Sequence, residues 1–370
     1  MSYKVNWSYL PKQFNDKNIR DILKLLSKFV PTGDFTLGKP LKEFEEKFAQ
    51  MVGAKHALGV NSGTDAIKLS LKALNVGPGD EVITTANTFI ATIGAIAEMY
   101  ATPILVDCTD NFCMDVNQVE SKITSKTKAI VPVNLAGQMT DLPKLMEIAK
   151  KYNLPIVEDS CQCILGNIEG QCAGTFGITG AFSLHPLKNL NVWGDGGMIV
   201  TNDDEMYDKL SLLRNHGLRD RDTVEIMGCN SRLDTQQAVI GNWLIGQVDF
   251  ITDTRIKNAN FLDNSLKEIP EIIIPPRFSN RKLVYHLYMV HAKNRNGLYD
   301  FLRSEGIQVK IHYPIPVYQQ PAIAKYGYKK GDFPVTDSQS NSLISLPAHE
   351  HLTQDQLQYM IDKITDFYRK

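Results

Sequence analysis

Three short stretches of this sequence carry residues able to do more than pack. "SLHPLKN", residues 183–189, ends an apolar run close to Lys188, and "GDGG" follows at 194–197. A lysine amine held away from water gives up its proton more easily and can attack a carbonyl to form a Schiff base. "IVEDSCQ", residues 156–162, puts Glu158 and Asp159 at the end of another apolar run, where a carboxylate can balance a cationic ring nitrogen. "NSGTDA", residues 61–66, stands between a short apolar run and a helical pattern, so that free N–H groups at a helix start can hold an anion such as phosphate. Each stretch also has a plainer reading. Lys188 can be a surface amine, Asp159 the cap of the next helix, and Thr64 or Asp65 a cap of their own.

The three become informative in combination. Pyridoxal 5′-phosphate asks for N–H donors at its phosphate, a carboxylate at its pyridinium nitrogen and an amine at its aldehyde. The cradle, the acid and the lysine occur here in that order along the chain.

Residues so far apart must be gathered by a regular scaffold. "HALGV", "EVITT", "TPILVD", "KAIVPVNL", "LPIVEDS", "GAFSL" and "GMIVTND" are apolar runs of strand length, separated by helical patterns such as "DLPKLMEIAKKY". Uninterrupted apolar strands suit a sheet covered on both faces, and their alternation with helices predicts an α/β domain with a mostly parallel sheet. In such sheets ligands bind at the carboxyl ends of strands, where Asp159 and Lys188 fall. Residues 1–40 read as an irregular arm with one helical piece, "NIRDILKLLSKFV", attached to a large domain over 1–245. Beyond it, "EIIIPP", "LVYHLYMVHA", "NGLYDFLRSEG" and "QDQLQYMIDKITDFY" predict a small α+β domain over 246–370.

Bulk properties narrow the classes. With 40 basic and 41 acidic residues the formal charge is −1, which gives no electrostatic footprint for nucleic acid or an anionic membrane. The uncharged run 82–97 is too short for a membrane span, and "MSYKVNWSYL" lacks the apolar stretch of a secretory signal. The six cysteines form no C-x-x-C pair and read as small buried residues of a reducing compartment, with no metal site. These features predict a cytoplasmic protein.

From about Gly33 to the last helix the chain resembles the sugar-nucleotide aminotransferases, a DegT/StrS-like family of fold-type I pyridoxal phosphate enzymes. The matching pieces include "TLGKPLKEFEEKFA", "VNSGTDAI", "GDEVITTANTFIAT", "VEDSCQ", "SLHPLKN", "GDGGMIVTND", "RNHG", "NSRLDTQQAVIG", "IHYPIPVYQQPA", "GDFPV" and "ISLPAH". The resemblance implies that Lys188 is the catalytic Schiff-base lysine. It implies that Gly63, Thr64 and Ser183 bind the cofactor phosphate, Asp159 the ring nitrogen and Gln162 the phenolic oxygen, with Phe89 against the ring. Asn230 would reach the phosphate of a neighbouring subunit, making a homodimer with shared sites. His312, Tyr313 and Tyr318 would face the substrate. The implied reaction moves an amino group, with L-glutamate as donor, onto a keto-sugar nucleotide.

Departures from the family pattern are Leu184 for a usual phenylalanine, Tyr318 for a frequent histidine, and the cysteines of "EDSCQC". Relatives that remove a sugar hydroxyl carry histidine at the lysine position, and Lys188 speaks against that chemistry. A cyclitol ketone as acceptor is one alternative. A non-catalytic regulator that binds the cofactor is another, although Asp159, Ser183 and Lys188 are all intact.

Overall fold

A computed structural model describes residues 3–369. The large sheet is built from β1 (His56–Val60), β2 (Glu81–Thr85), β3 (Thr102–Val106), β4 (Thr127–Val131), β5 (Val157–Asp159), β6 (Thr179–Ser183) and β7 (Gly197–Thr201). Ladders join β3, β2 and β4 on one side and β5, β6, β7 and β1 on the other. Parallel bridges Ile130–Ile156 and Val133–Asp159 close the gap, giving the order β3-β2-β4-β5-β6-β7-β1. All neighbours run parallel except β7, which is antiparallel to both β6 and β1.

Residues alternate between faces along each strand, and here both faces are buried. Phe182, Met198 and Val200 pack into one core with Leu41, Phe44 and Phe48 of α2 (Lys39–Val52), which follows α1 (Asp16–Phe29). Ala181 and Ile199 face the opposite core with Ala66 and Ile67 of α3 (Gly63–Ala73). The remaining helices of this half are α4 (Ile90–Glu98), α5 (Leu142–Tyr152), α6 (Asp204–Leu213), α7 (Thr235–Leu244) and α8 (Val248–Leu266).

Helix α8 joins the two halves. Val248 and Ile251, near its start, belong to the large-domain core, whereas Ala259, Leu262 and Leu266 belong to a second core. That second core lies under β8 (Ile272–Ile273), β9 (Tyr288–Ala292) and β10 (Leu343–Leu346), an antiparallel sheet in the order β8-β9-β10. It is completed by α9 (Arg295–Ser304) and α11 (Gln354–Arg369), while α10 (Pro334–Ser342) returns to the large domain, where its N–H groups at Val335 and Thr336 donate to Asp107 at 2.9 Å.

Two features differ from the sequence reading. The change of core comes inside one continuous helix rather than at residue 245, because an amphipathic rod can present successive turns to different partners. The arm begins in the second half: Val5 is wholly buried there and its carbonyl accepts from the Gln308 N–H at 2.9 Å. It then crosses to the large domain at Tyr9. No helix is long and apolar enough to cross a membrane.

Candidate active site

The site forms where β1, β5 and β6 end. Cross-strand register places Val60 and Ser183 both opposite Gly197, and Asp159 opposite Ala181. The cradle is the start of α3. Ser62 caps that helix, its Oγ accepting from the Asp65 N–H at 3.1 Å, which leaves the N–H groups of Gly63 and Thr64 without an acceptor among the described residues. Two orphan donors at a helix N-terminus favour an anion. Gly63 can have no side chain, because a Cβ would lie 2.6 Å from Cys161 Sγ and 2.9 Å from Ser183 Cβ. Ser183 Oγ accepts weakly from the His185 N–H at 3.3 Å and keeps its own proton to donate.

Asp159 is almost fully buried at the end of β5. Thr92, in the first turn of α4, donates to its Oδ2 at 2.7 Å, and the Cys161 N–H donates to Oδ1 at 3.2 Å. The carboxylate is therefore aimed and spends little of its capacity on the protein. Gln162 has its Oε1 fixed by the Ala136 N–H at 2.7 Å, and its Nε2 reaches the Tyr313 hydroxyl at 3.4 Å.

Lys188 is partly buried in the loop between β6 and β7. Burial pushes its pKa down, with Cys161 and Asp159 pulling the other way. The loop is held from outside by the arm: the Tyr9 hydroxyl donates to the carbonyls of Leu187 at 3.0 Å and Lys188 at 3.2 Å. Arg255 lies 4.9 Å from the Tyr9 ring and is paired with buried Glu350 at 2.9 Å.

Other expected site residues fall around this centre. Phe89 is half exposed, its ring 6.0 Å from that of Tyr313. Tyr313 meets Gln162, and burial raises its hydroxyl to about 12. His312 turns to a different cavity, of about 80 Å³, shared with Trp7, Leu187, Arg255 and His286. There its ring stacks on Trp7 and Nδ1 meets Ser345 Oγ at 2.8 Å; burial lowers its pKa to about 4. Tyr318 is turned into the core, 1% exposed, with its hydroxyl donating to Asp337 at 2.5 Å. Asn230 is exposed; its carbonyl accepts from Asn61 Nδ2 at 3.1 Å, beside the cradle of its own chain.

Sequence reasoning missed Thr92, although "ANTFIAT" contains it, and missed Tyr9 altogether, because nothing in "NWSYL" signals a partner nearly 180 residues away. Glu158, adjacent to the acid, faces the opposite way and accepts from the N–H groups of Gly174, Phe176 and Gly177. Among the described residues no group of three or more His, Cys, Asp or Glu could hold a metal ion.

The residues present fit pyridoxal phosphate. A desolvated amine, an aimed carboxylate and two unpaired N–H groups beside a serine hydroxyl supply partners for its aldehyde, ring nitrogen and phosphate.

Residues 16–365 match the model of the DegT/DnrJ/EryC1/StrS aminotransferase family. Among curated proteins the chain is 40% identical over 352 residues to a pleiotropic regulatory protein of Geobacillus stearothermophilus, covering 94% of this chain and 95% of that one. It is 36% identical over 343 residues to dTDP-3-amino-3,4,6-trideoxy-alpha-D-glucose transaminase of Streptomyces venezuelae, covering 92% and 90%. The crystal structure of DesV from S. venezuelae superposes with a TM-score of 0.96 at 34% identity over the whole of both chains. A Bacillus subtilis structure with bound cofactor PMP follows at 0.93 and 28%, over 100% of this chain and 86% of that one.

Proposed function

The chain belongs to the DegT/DnrJ/EryC1/StrS aminotransferase family, and within it we propose a pyridoxal phosphate enzyme that carries an amino group from L-glutamate to a nucleotide-linked keto-sugar. The observation that carries this reading is the meeting of desolvated Lys188, Asp159 and the unpaired N–H groups of Gly63 and Thr64 at one end of the sheet. When bound, the cofactor supplies an electron sink for breaking the Cα–H bond of the donor.

The chain's own groups do the rest. Gly63, Thr64 and Ser183 would hold the phosphate, and Gln162 the phenolic oxygen. Asp159, steadied by Thr92, would keep the ring nitrogen protonated. Phe89 would offer its apolar face to the ring. Lys188 would hold the cofactor through its amine, and the same amine, when free, would take and return the proton. Its depressed pKa supports both tasks, since each needs the neutral form. Asn230 completes the phosphate site of a partner in a homodimer. Tyr313 and His312 line different cavities, and of the two Tyr313 is the substrate-side residue. The six cysteines, all unpaired, support a reducing cytoplasm.

The test is borohydride reduction of the holoenzyme and of Lys188→Ala, followed by peptide mass mapping. Label should appear on Lys188 in the native chain and vanish in the variant, with transamination reduced by on the order of 10³-fold or more. Label that persists in the variant overturns the assignment. A native chain that takes up label but aminates no keto-sugar is a cofactor-binding regulator.

A further inference from the structure

Beside Phe89 and Tyr313 opens a pocket of about 170 Å³, whose other walls include Ile90, Ile315, Val317 and Gln320. One wall is the start of α4 and the other is the segment 313–320. Tyr313 links the pocket to the proposed cofactor residues, since its hydroxyl also accepts from Gln162 Nε2 at 3.4 Å.

Among the described residues no charged side chain lines it. The Thr88 hydroxyl is engaged with Thr92 at 2.7 Å. Gln320 alone offers a neutral amide with no hydrogen bond among the described residues. Phe89, Ile90 and Ile315 are 52%, 41% and 50% exposed in the single chain and form an apolar rim to the pocket. The segment is also held in place from behind. Tyr318 and Gln319 donate to Asp337 Oδ1 at 2.5 and 2.7 Å, and the Gly331 N–H to Oδ2 at 3.0 Å. The Tyr318 ring packs edge-on against Phe333 at 4.8 Å. The nearby carboxylate is thus committed elsewhere, and the apolar wall is preorganised.

We propose that this pocket reads the C5 substituent of the sugar ring, accepting a methyl and excluding a carboxylate, with Ile90, Ile315 and Gln320 as the discriminating residues. The inference rests on the reading of the chain as a keto-sugar nucleotide aminotransferase. A hexose offers mostly hydroxyls, each of which needs a partner when buried. The methyl of a 6-deoxy sugar is the ring substituent an apolar wall can cover without loss, and Gln320 is free to bond the adjacent C4 hydroxyl. A uronate carboxylate would lose its water here and find no cation.

The experiment uses holoenzyme and amino-sugar nucleotides alike in carrier and ring, with methyl, hydroxymethyl or carboxylate at C5, in both dTDP and UDP series. Binding is measured by calorimetry, and the return transfer to 2-oxoglutarate is followed alongside. We expect the methyl compound to bind tightest, the hydroxymethyl about 10-fold weaker and the carboxylate on the order of 10²-fold weaker or more. Ile315→Lys should narrow the methyl-to-carboxylate gap by about 10-fold, chiefly by tightening the carboxylate. Equal or tighter binding of the carboxylate, or a ratio unmoved by Ile315→Lys, overturns the inference while leaving the aminotransferase reading intact. If no compound of either series binds or reacts while L-glutamate still converts the cofactor, the sugar reading itself fails and this inference with it.

Discussion

A residue type acquires chemistry here through its immediate neighbours. Asp159 and Glu158 are adjacent carboxylates of one strand, yet they point to opposite faces and meet different donors. Asp159 is aimed by Thr92 and the Cys161 N–H into the cleft, whereas Glu158 sits on three backbone N–H groups beneath the sheet. Asp159→Asn keeps the shape and removes the counter-charge proposed for the ring nitrogen. The variant should bind cofactor but turn over ~10²-fold more slowly or worse, as expected for losing a catalytic electrostatic partner. Thr92→Val removes a single hydrogen bond to the acid, so its rate should fall by ~10-fold, in keeping with about 1 kcal/mol. Comparing single-turnover rates of the two variants checks the order. A Thr92→Val rate as low as that of Asp159→Asn would mean that Thr92 contacts the cofactor directly.

At the scale of elements, the start of α3 is set by the close approach of β7. A Cβ on Gly197 would lie 2.3 Å from the Ser62 carbonyl oxygen and 2.8 Å from the Gly63 N–H nitrogen. Gly197→Ala must therefore push the helix start away from the sheet. We expect about 1–3 kcal/mol of lost stability in urea unfolding and a weaker cofactor affinity, read by fluorescence titration. Stability loss with unchanged affinity would place the cradle elsewhere. Strand and helix existence was readable from the alternation of apolar runs, because burial on both faces writes itself into composition. Which face of β5 meets the cleft was not readable, since consecutive acids satisfy either register equally well.

The whole molecule joins two cores through α8 and the arm, and both junctions carry buried histidines. Burial lowers His312 and His349 to about 4, against an ordinary 6.5. Between those values the unfolded chain takes up protons on these rings that the folded chain refuses. Stability from this source is present above pH 6.5 and is lost as pH falls toward 4. Glu158, raised to about 7 by burial, works with the opposite sign: its contribution is present below pH 4.5 and is lost as pH rises through 7. With two such histidines against one carboxylate, the melting temperature should drop between pH 6.5 and 4.5, and His312→Gln should flatten that slope. A slope unchanged in His312→Gln would show that its ring is already protonated in the folded state.

Subunit sharing is tested at the same scale. Lys188→Ala and Asn230→Asp are each expected to be inactive, the latter because a negative charge meets a phosphate. If Asn230 serves the partner, each hybrid dimer has one site with both residues native. Random exchange then restores about a quarter of native activity. Because Asn230 lies near the cradle of its own chain, the alternative is concrete: activity that stays at the level of the separate variants, with exchange confirmed by mass, assigns it there.

The sequence alone determined the α/β class, because burial on both faces writes strands as apolar runs, and it set Lys188, Asp159 and Gly63 beside the ends of such runs. It also carried the family likeness through motifs spread over nearly the whole chain. Only the tertiary structure decided which way neighbouring side chains turn. His312 and Tyr313 are consecutive yet face different cavities, and Tyr318 is spent on Asp337 inside the core. Those outcomes depend on contacts with residues such as Trp7, Ser345 and Phe333, distant in the chain, whose packing leaves no local periodicity to read.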